Sequence, residues 1–307
     1  MTGSKFLLIR EIGAGLWNEI HHVLTQLLIA EILQRIPVVY WGKGSLYASA
    51  DGSNAFEQFF LPISGFCVQD LAREEFFFCP EGWNSGNVFM PNRWGTEEGR
   101  HKAPEHLKQC DADVCIVDNY IDMEKIIPLI PEGHWLFGLE RRDVFYHLIR
   151  KYICLQKEIQ TSIDTFYNEN MKGTPFLAVH IRSSGKINEV RHLHELNERY
   201  PGEIAKVLKE NPGLRIFLMT NCIETLEEYT ERYGELVTYT DCRRVPRYGH
   251  GVHFQQYRDN WLKGLEIIRD TWLAAKCDFF IGNGYSNVSL GISELKNWQN
   301  DRIKLLY

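Results

Sequence analysis

Short runs of uninterrupted apolar residues alternate along this chain with longer stretches in which apolar positions recur every three or four residues. The first such pair lies in "KFLLIREIGAGLWNEIHHVLTQLLIAEILQRIPVVYW". It predicts a strand over Phe6–Ile9, a glycine turn at Gly13 and Gly15, a helix from about Asn18 to Gln34, and a second strand over Val38–Trp41. Ile20, Leu24, Leu27, Leu28 and Ile32 fall on one face of that helix. Strand, helix and strand within so short a span is a βαβ unit and implies a parallel sheet. Residues 42–110 break the rhythm. They are rich in Gly, Asn, Pro and aromatics, the composition of long ordered loops that line binding sites.

The alternation resumes with a strand candidate at Asp113–Tyr120 and a long helix from about Arg142 to Tyr167, which "MKGTP" ends. Strands then follow at Phe176–Ile181, Arg215–Thr220, Leu236–Tyr239 and Asp278–Ile281, with a last one in "RIKLLY". Helices fall near Gly202–Glu210, Ile223–Tyr233, Asn260–Ala275 and Ser286–Trp298. The economical reading is two doubly wound α/β domains in tandem, 1–155 and 156–307, each with a Rossmann-like parallel sheet and the two facing a cleft.

Composition narrows the function. The 307 residues suit two cores of about 150 residues each, and 44% hydrophobic content supplies them. A formal charge of -6 argues against nucleic acid as a partner. The N-terminus has only a four-residue apolar run before Arg10, and no apolar run reaches the length of a membrane span. A cytoplasmic protein is expected, with association at a membrane surface left open. The eight cysteines are scattered without CxxC spacing and read as reduced, mostly buried thiols rather than a disulfide frame or zinc site. His21-His22, His192-x-His194 and His250-x-x-His253 lack zinc-like partner sets, so no metal is expected.

Two stretches carry chemistry. "FLAVHIRSSGK" (176–186) is an apolar strand that ends in Arg182 and a short loop. His180 and Arg182, two residues apart, point the same way from a strand, and a guanidinium there can fork onto a phosphate. An ordinary surface ion pair with a satisfied core histidine fits this stretch equally well. "CDFFIGNGYSNVSLGISEL" (277–295) is a buried strand, a Gly-Asn-Gly turn and a helix with Ser286 at its N-cap, an arrangement that can bind an anion. Alone it also fits a plain strand-to-helix turn. Asp270, off the apolar stripe of Trp261, Leu265, Ile268, Trp272 and Ala275, reads on pattern as a solvated acid.

Together these stretches resemble the core α1,6-fucosyltransferases and the rhizobial nodulation fucosyltransferases, within the GT-B fucosyltransferase superfamily. The family's His-x-Arg followed by Lys is matched by His180, Arg182 and Lys186. Its second motif, a strand ending in Ala-Thr-Asp-Asp, is answered by "FLMTNC" with Thr220 and Asn221. Its third is matched by Asp270, Asp278, Ser286, Asn287, Val288 and Glu294 in order and spacing. The match covers about residues 174–300; before it only "GAGLW" is similar. The resemblance implies a GDP-sugar donor in the C-terminal domain and a glycan or glycolipid acceptor in the N-terminal one. It also implies inversion at the anomeric carbon and no required metal or other cofactor. On that basis Arg182 holds the β-phosphate, His180 and Asp270 read the guanine edge, and Ser286 and Asn287 hold phosphate. Glu189, one residue short of the family's spacing, is the candidate base, with Lys186 to orient it. A surface Glu-Lys pair fits those two residues equally well. Two departures bear on the sugar: Gly185 and Asn221-Cys222 stand where the family has acids. Other GDP-sugars, or a protein that binds nucleotide sugar without turnover, are the alternatives. A Rossmann oxidoreductase is disfavoured because "GAGLWN" has only two of the three fingerprint glycines.

Overall fold

The computed structural model describes residues 3–91, 110–183, 192–249, 251–252, 255, 257 and 259–307. It divides into two compact units. One comprises residues 1–156 with 259–264, and the other 157–258 with 265–307.

In the first unit, four parallel strands lie in the order β2-β1-β4-β3. β1 (Phe6–Arg10) is buried along its whole length, because β2 (Ile36–Tyr40) and β4 (Val114–Val117) flank it and both faces are covered. The edge strand β3 (Phe78–Cys79) has two residues, too few to register as a pattern, and lies inside the stretch read as irregular. α1 (Leu16–Leu33) is buried on nearly every side rather than on one face. Among its buried polar residues, Thr25 Oγ1 donates to the His21 carbonyl at 2.8 Å. The helix stops at Gln34, whose φ of 53° turns the chain out of it and into β2. A short helix, α2 (Val68–Leu71), precedes β3.

The single helix expected over 142–167 is two, α3 (Arg141–Tyr152) and α4 (Lys157–Asn170). The break is a tertiary effect. Leu155 forms an antiparallel bridge with Phe60, Leu61 N–H donates to the Cys154 carbonyl, and Gln156 N–H donates to that of Phe59. The Gln156 side chain adds bonds to the Glu57 and Phe60 carbonyls. Extended pairing thus replaces one helical turn.

In the second unit, five parallel strands lie in the order β7-β6-β5-β8-β9. They are β5 (Phe176–Ile181), β6 (Arg215–Thr220), β7 (Val237–Thr238), β8 (Phe279–Asn283) and β9 (Ile303–Leu306). α5 (Leu193–Glu210) starts nine residues before the expected Gly202, with Pro201 inside it. Pro201 has no N–H to give to Asn197, yet Leu193, Leu196, Tyr200 and Ile204 form a buried stripe across it that holds the helix together. The core packs Leu177, Val179 and Ile181 of β5 with Ile216, Leu218 and Ile281 of its neighbours, and with Tyr200 and with Tyr229 from α6 (Ile223–Tyr233). α7 (Asn260–Lys276) leads into β8, and α8 (Asn287–Leu295) follows it.

Candidate nucleotide site

Strand order in the second unit reverses at β5, which has β6 on one side and β8 on the other. In an open parallel sheet, loops diverge at the carboxyl ends of the two strands astride such a reversal and leave a crevice for ligand. The His180–Arg182 stretch leaves the carboxyl end of β5, and the Ser286 turn leaves that of β8. These two elements are joined: His180 Nδ1 lies 2.7 Å from Ser289 Oγ in the first turns of α8.

Backbone geometry makes that link possible. Gly282 in β8 faces Ser289 so closely that a Cβ on it would lie 2.7 Å from Ser289 Oγ and 2.9 Å from its Cβ. The Asn283 amide donates to Ser289 Oγ at 2.9 Å, so this hydroxyl ties the end of β8 to the His180 ring. The imidazole is neutral, since burial, and next the Arg182 charge, push its pKa down to about 3. The backbone of His180 is fixed as well: the Tyr200 hydroxyl donates to its carbonyl at 2.7 Å.

Ser286 stands at the N-cap position of α8, but its side chain makes no cap hydrogen bond, contrary to the capped helix expected from the sequence. Asn283 Oδ1 instead accepts from the Tyr285 amide, 2.8 Å away, and orders the turn. Arg182 is half-buried, and its carbonyl accepts from Asn197 Nδ2 at 3.1 Å. Thr220, at the end of β6, pairs in register with Ile181, and Asn221 follows it. A separate cavity of about 600 Å³ lies between the tip of β5, α5 and α6, lined by Ile181, Asn197, Glu198, Glu228, Arg232 and Arg247 among others; it takes in none of His180, Arg182, Asp270, Ser286 or Asn287.

Asp270 is not the solvated acid its pattern suggests. It is 8% exposed on α7, and the Thr240 hydroxyl donates to its Oδ1. Burial pushes its pKa up to about 6, against the pull of Thr240 and the Arg269 and Arg244 charges. The partner comes from 30 residues upstream, so helical periodicity could not reveal it. Lys186 and Glu189 lie outside the described residues, as do His250 and His253.

The glycine turn of the first unit is a different case. Burial pushes the Glu19 carboxyl up to about 8, and its oxygens accept from the Ile12 and Ala14 amides at 2.9–3.2 Å. The amides that would cradle a pyrophosphate after β1 are thus already occupied by a side chain of α1. The sequence reading missed Glu19. The sole available signal was an acid in the first turn of a helix behind a glycine loop. The histidine pairs assemble no metal site among the described residues. His21 and His22 are buried in α1, while exposed His192 and His194 each pair with a glutamate of α5.

No protein-family model matches the chain, and a search of curated proteins found no relative. Solved structures are similar. NodZ α1,6-fucosyltransferase soaked with GDP-fucose has 19% identity and a TM-score of 0.63, over 95% of this chain and 92% of that one. Fucosyltransferase NodZ from Bradyrhizobium has 18% identity and a TM-score of 0.63, over 99% and 98%. POFUT1 in complex with GDP has 14% identity and a TM-score of 0.54, over 99% of each chain. At these identities the likeness establishes the fold, an α/β architecture of the GT-B class with two parallel sheets.

Proposed function

We propose that this protein is a glycosyltransferase that draws on a GDP-sugar of the GDP-fucose type and binds the nucleotide in its second unit. The observation that carries the reading is the junction at the sheet's strand-order reversal, where the His180 ring, leading to Arg182, is bonded to the first turns of α8. Arg182 meets the β-phosphate there, and the amides that open α8, with Ser286 and Asn287, meet the other phosphate oxygens. Such a preorganised pair stabilises the leaving diphosphate in the role a divalent ion would otherwise fill. His180 and Asp270 take the guanine edge, with Thr220 and Asn221 alongside. The GDP and GDP-fucose carried by the similar structures support the donor class. The acceptor under this reading is a hydroxyl of a glycan, such as a bacterial surface polysaccharide, held by the first unit. Glu189 removes its proton and the anomeric carbon inverts. The chain then works in the cytoplasm; no helix among its described residues is long and apolar enough to cross a membrane.

A panel of ligands tests the class. GDP should raise the melting temperature, and keep raising it with the logarithm of its concentration above Kd, with ADP, UDP and NADH without effect. Stabilisation by NADH and not by GDP would remove the proposal.

A pH profile tests the guanine contact. Ionised Asp270 accepts the two N–H groups of the guanine edge, and protonated Asp270 cannot accept both. With its carboxyl near 6 in the free protein, affinity for GDP-fucose is steady above that pH and falls about tenfold per unit below it. GDP-fucose is the right probe because its esterified diphosphate does not titrate there, and His180 stays neutral throughout. In Asp270→Asn the profile should flatten. Identical profiles in the two proteins would place the base elsewhere.

A further inference from the structure

Three cysteines far apart in the sequence converge in the first unit. Cys79 ends β3, Cys115 lies beside it in register on β4, and Cys110 precedes that strand. Their sulfurs all lie within 4.8 Å of one another, and the Cys110 and Cys115 sulfurs are 3.3 Å apart. The expectation of scattered, mostly buried thiols is corrected: these three converge, and of the eight only Cys115, Cys222 and Cys277 are buried.

We propose that Cys79, Cys110 and Cys115 form a three-thiolate site for a thiophilic d10 cation, Zn(II) or Cu(I). Geometry supports this. Zinc–sulfur bonds of about 2.3 Å set tetrahedral sulfurs about 3.8 Å apart, so the three thiols need only sub-ångström shifts to embrace an ion. A disulfide would use two of the sulfurs and leave the third without a role. Among the described residues no fourth Cys, His, Asp or Glu joins the group. That suits a three-coordinate Cu(I), or a zinc ion whose fourth position is taken by water.

Charge supports it as well. Arg35 is 6% exposed, and its guanidinium donates to the carbonyls of Cys110, Ala112 and Phe6 at 2.7, 2.9 and 3.2 Å. A fixed cation beside the thiols offsets the net negative charge of a metal–trithiolate centre. A thiol that coordinates the ion gives up its proton. Loading therefore releases up to three protons, one per thiol. Cys79 and Cys110 are 31 residues apart (110 − 79), so the ion closes a long loop against the sheet edge and stabilises the unit.

The test uses the full chain, reduced and free of metal. Co(II) serves as the spectroscopic probe of a thiolate site, followed by Zn(II), and by Cu(I) against a competing chelator. One equivalent should bind with thiolate-to-metal charge-transfer absorption, release protons and raise the melting temperature. Cys79→Ser and Cys110→Ser, the less buried positions, should each weaken binding by about a hundredfold or more. A Cys67→Ser/Cys154→Ser double variant, which removes the two exposed thiols, should bind as the parent does. Which of Zn(II) and Cu(I) survives chelator competition identifies the ion. Three results overturn the proposal: no charge-transfer band, a band that persists in Cys79→Ser and Cys110→Ser, or a reduced protein that takes up no metal yet closes a Cys110–Cys115 disulfide, two hydrogens lighter, under mild oxidant.

Discussion

Arg182→Ala should weaken GDP binding by roughly 1.5–3 kcal/mol, about 10- to 150-fold in Kd, as measured by calorimetry. The guanidinium leaves the end of β5 half-buried, and a charge-assisted fork onto a diphosphate contributes on that scale. Arg182→Lys should fall between, because an ammonium keeps the charge and loses the fork. The loss is specific to ligand. Burial alone keeps His180 neutral without its charged neighbour, and Tyr200 and Ser289 hold the ring and its backbone in place. Unliganded Arg182→Ala should therefore melt close to the parent. Glu189→Gln is the matching variant for chemistry. It should keep the affinity for GDP and lose transfer by about a hundredfold or more, the contribution of a positioned base. Unchanged GDP binding in Arg182→Ala would remove the arginine from the donor site.

Glu19 should make the protein less stable as pH rises through the neutral range. Its carboxyl is fully buried in the turn after β1, and burial raises its pKa from 4.5 to about 8. The native state thus holds a proton that the unfolded chain releases near pH 4.5. The sign follows: the contribution is fully present below pH 4.5 and is lost as pH rises through about 8. Its span is on the order of 5 kcal/mol. Glu19→Gln removes the titration. Denaturant unfolding at a series of pH values should find the variant close to the parent at pH 5 and more stable than it at pH 9. A difference independent of pH would mean that the Ile12 and Ala14 amides keep the carboxylate ionised throughout.

What the sequence disclosed and what it hid follow from the range of the interactions. Apart from the two-residue β3, the strands are readable because parallel strands covered on both faces carry unbroken apolar runs, as Phe176–Val179 does. His180 and Arg182 were accessible because a motif keeps its spacing at the end of such a strand. Asp270 was visible through resemblance alone, since the Thr240 hydroxyl that makes its burial tolerable lies in a different segment. The break at Ile153–Gln156 was hidden for the same reason: its hydrogen-bond partners are Phe59, Phe60 and Leu61, about 95 residues away. The cysteine trio is the extreme case. Cys79 and Cys115 become neighbours only through strand register, which no local spacing encodes.

The imidazole at the junction has one further implication. Where the Ser289 hydroxyl donates to Nδ1, the opposite nitrogen of the neutral ring carries the hydrogen and can only offer it. Guanine carries a carbonyl oxygen at its six-position and adenine an amino group. Against a ring with this fixed polarity, the adenine nucleotide would set hydrogen against hydrogen in a dry pocket. Base choice between the two purines would then be written in a serine that touches no nucleotide, and in the missing side chain of Gly282 that lets the serine approach.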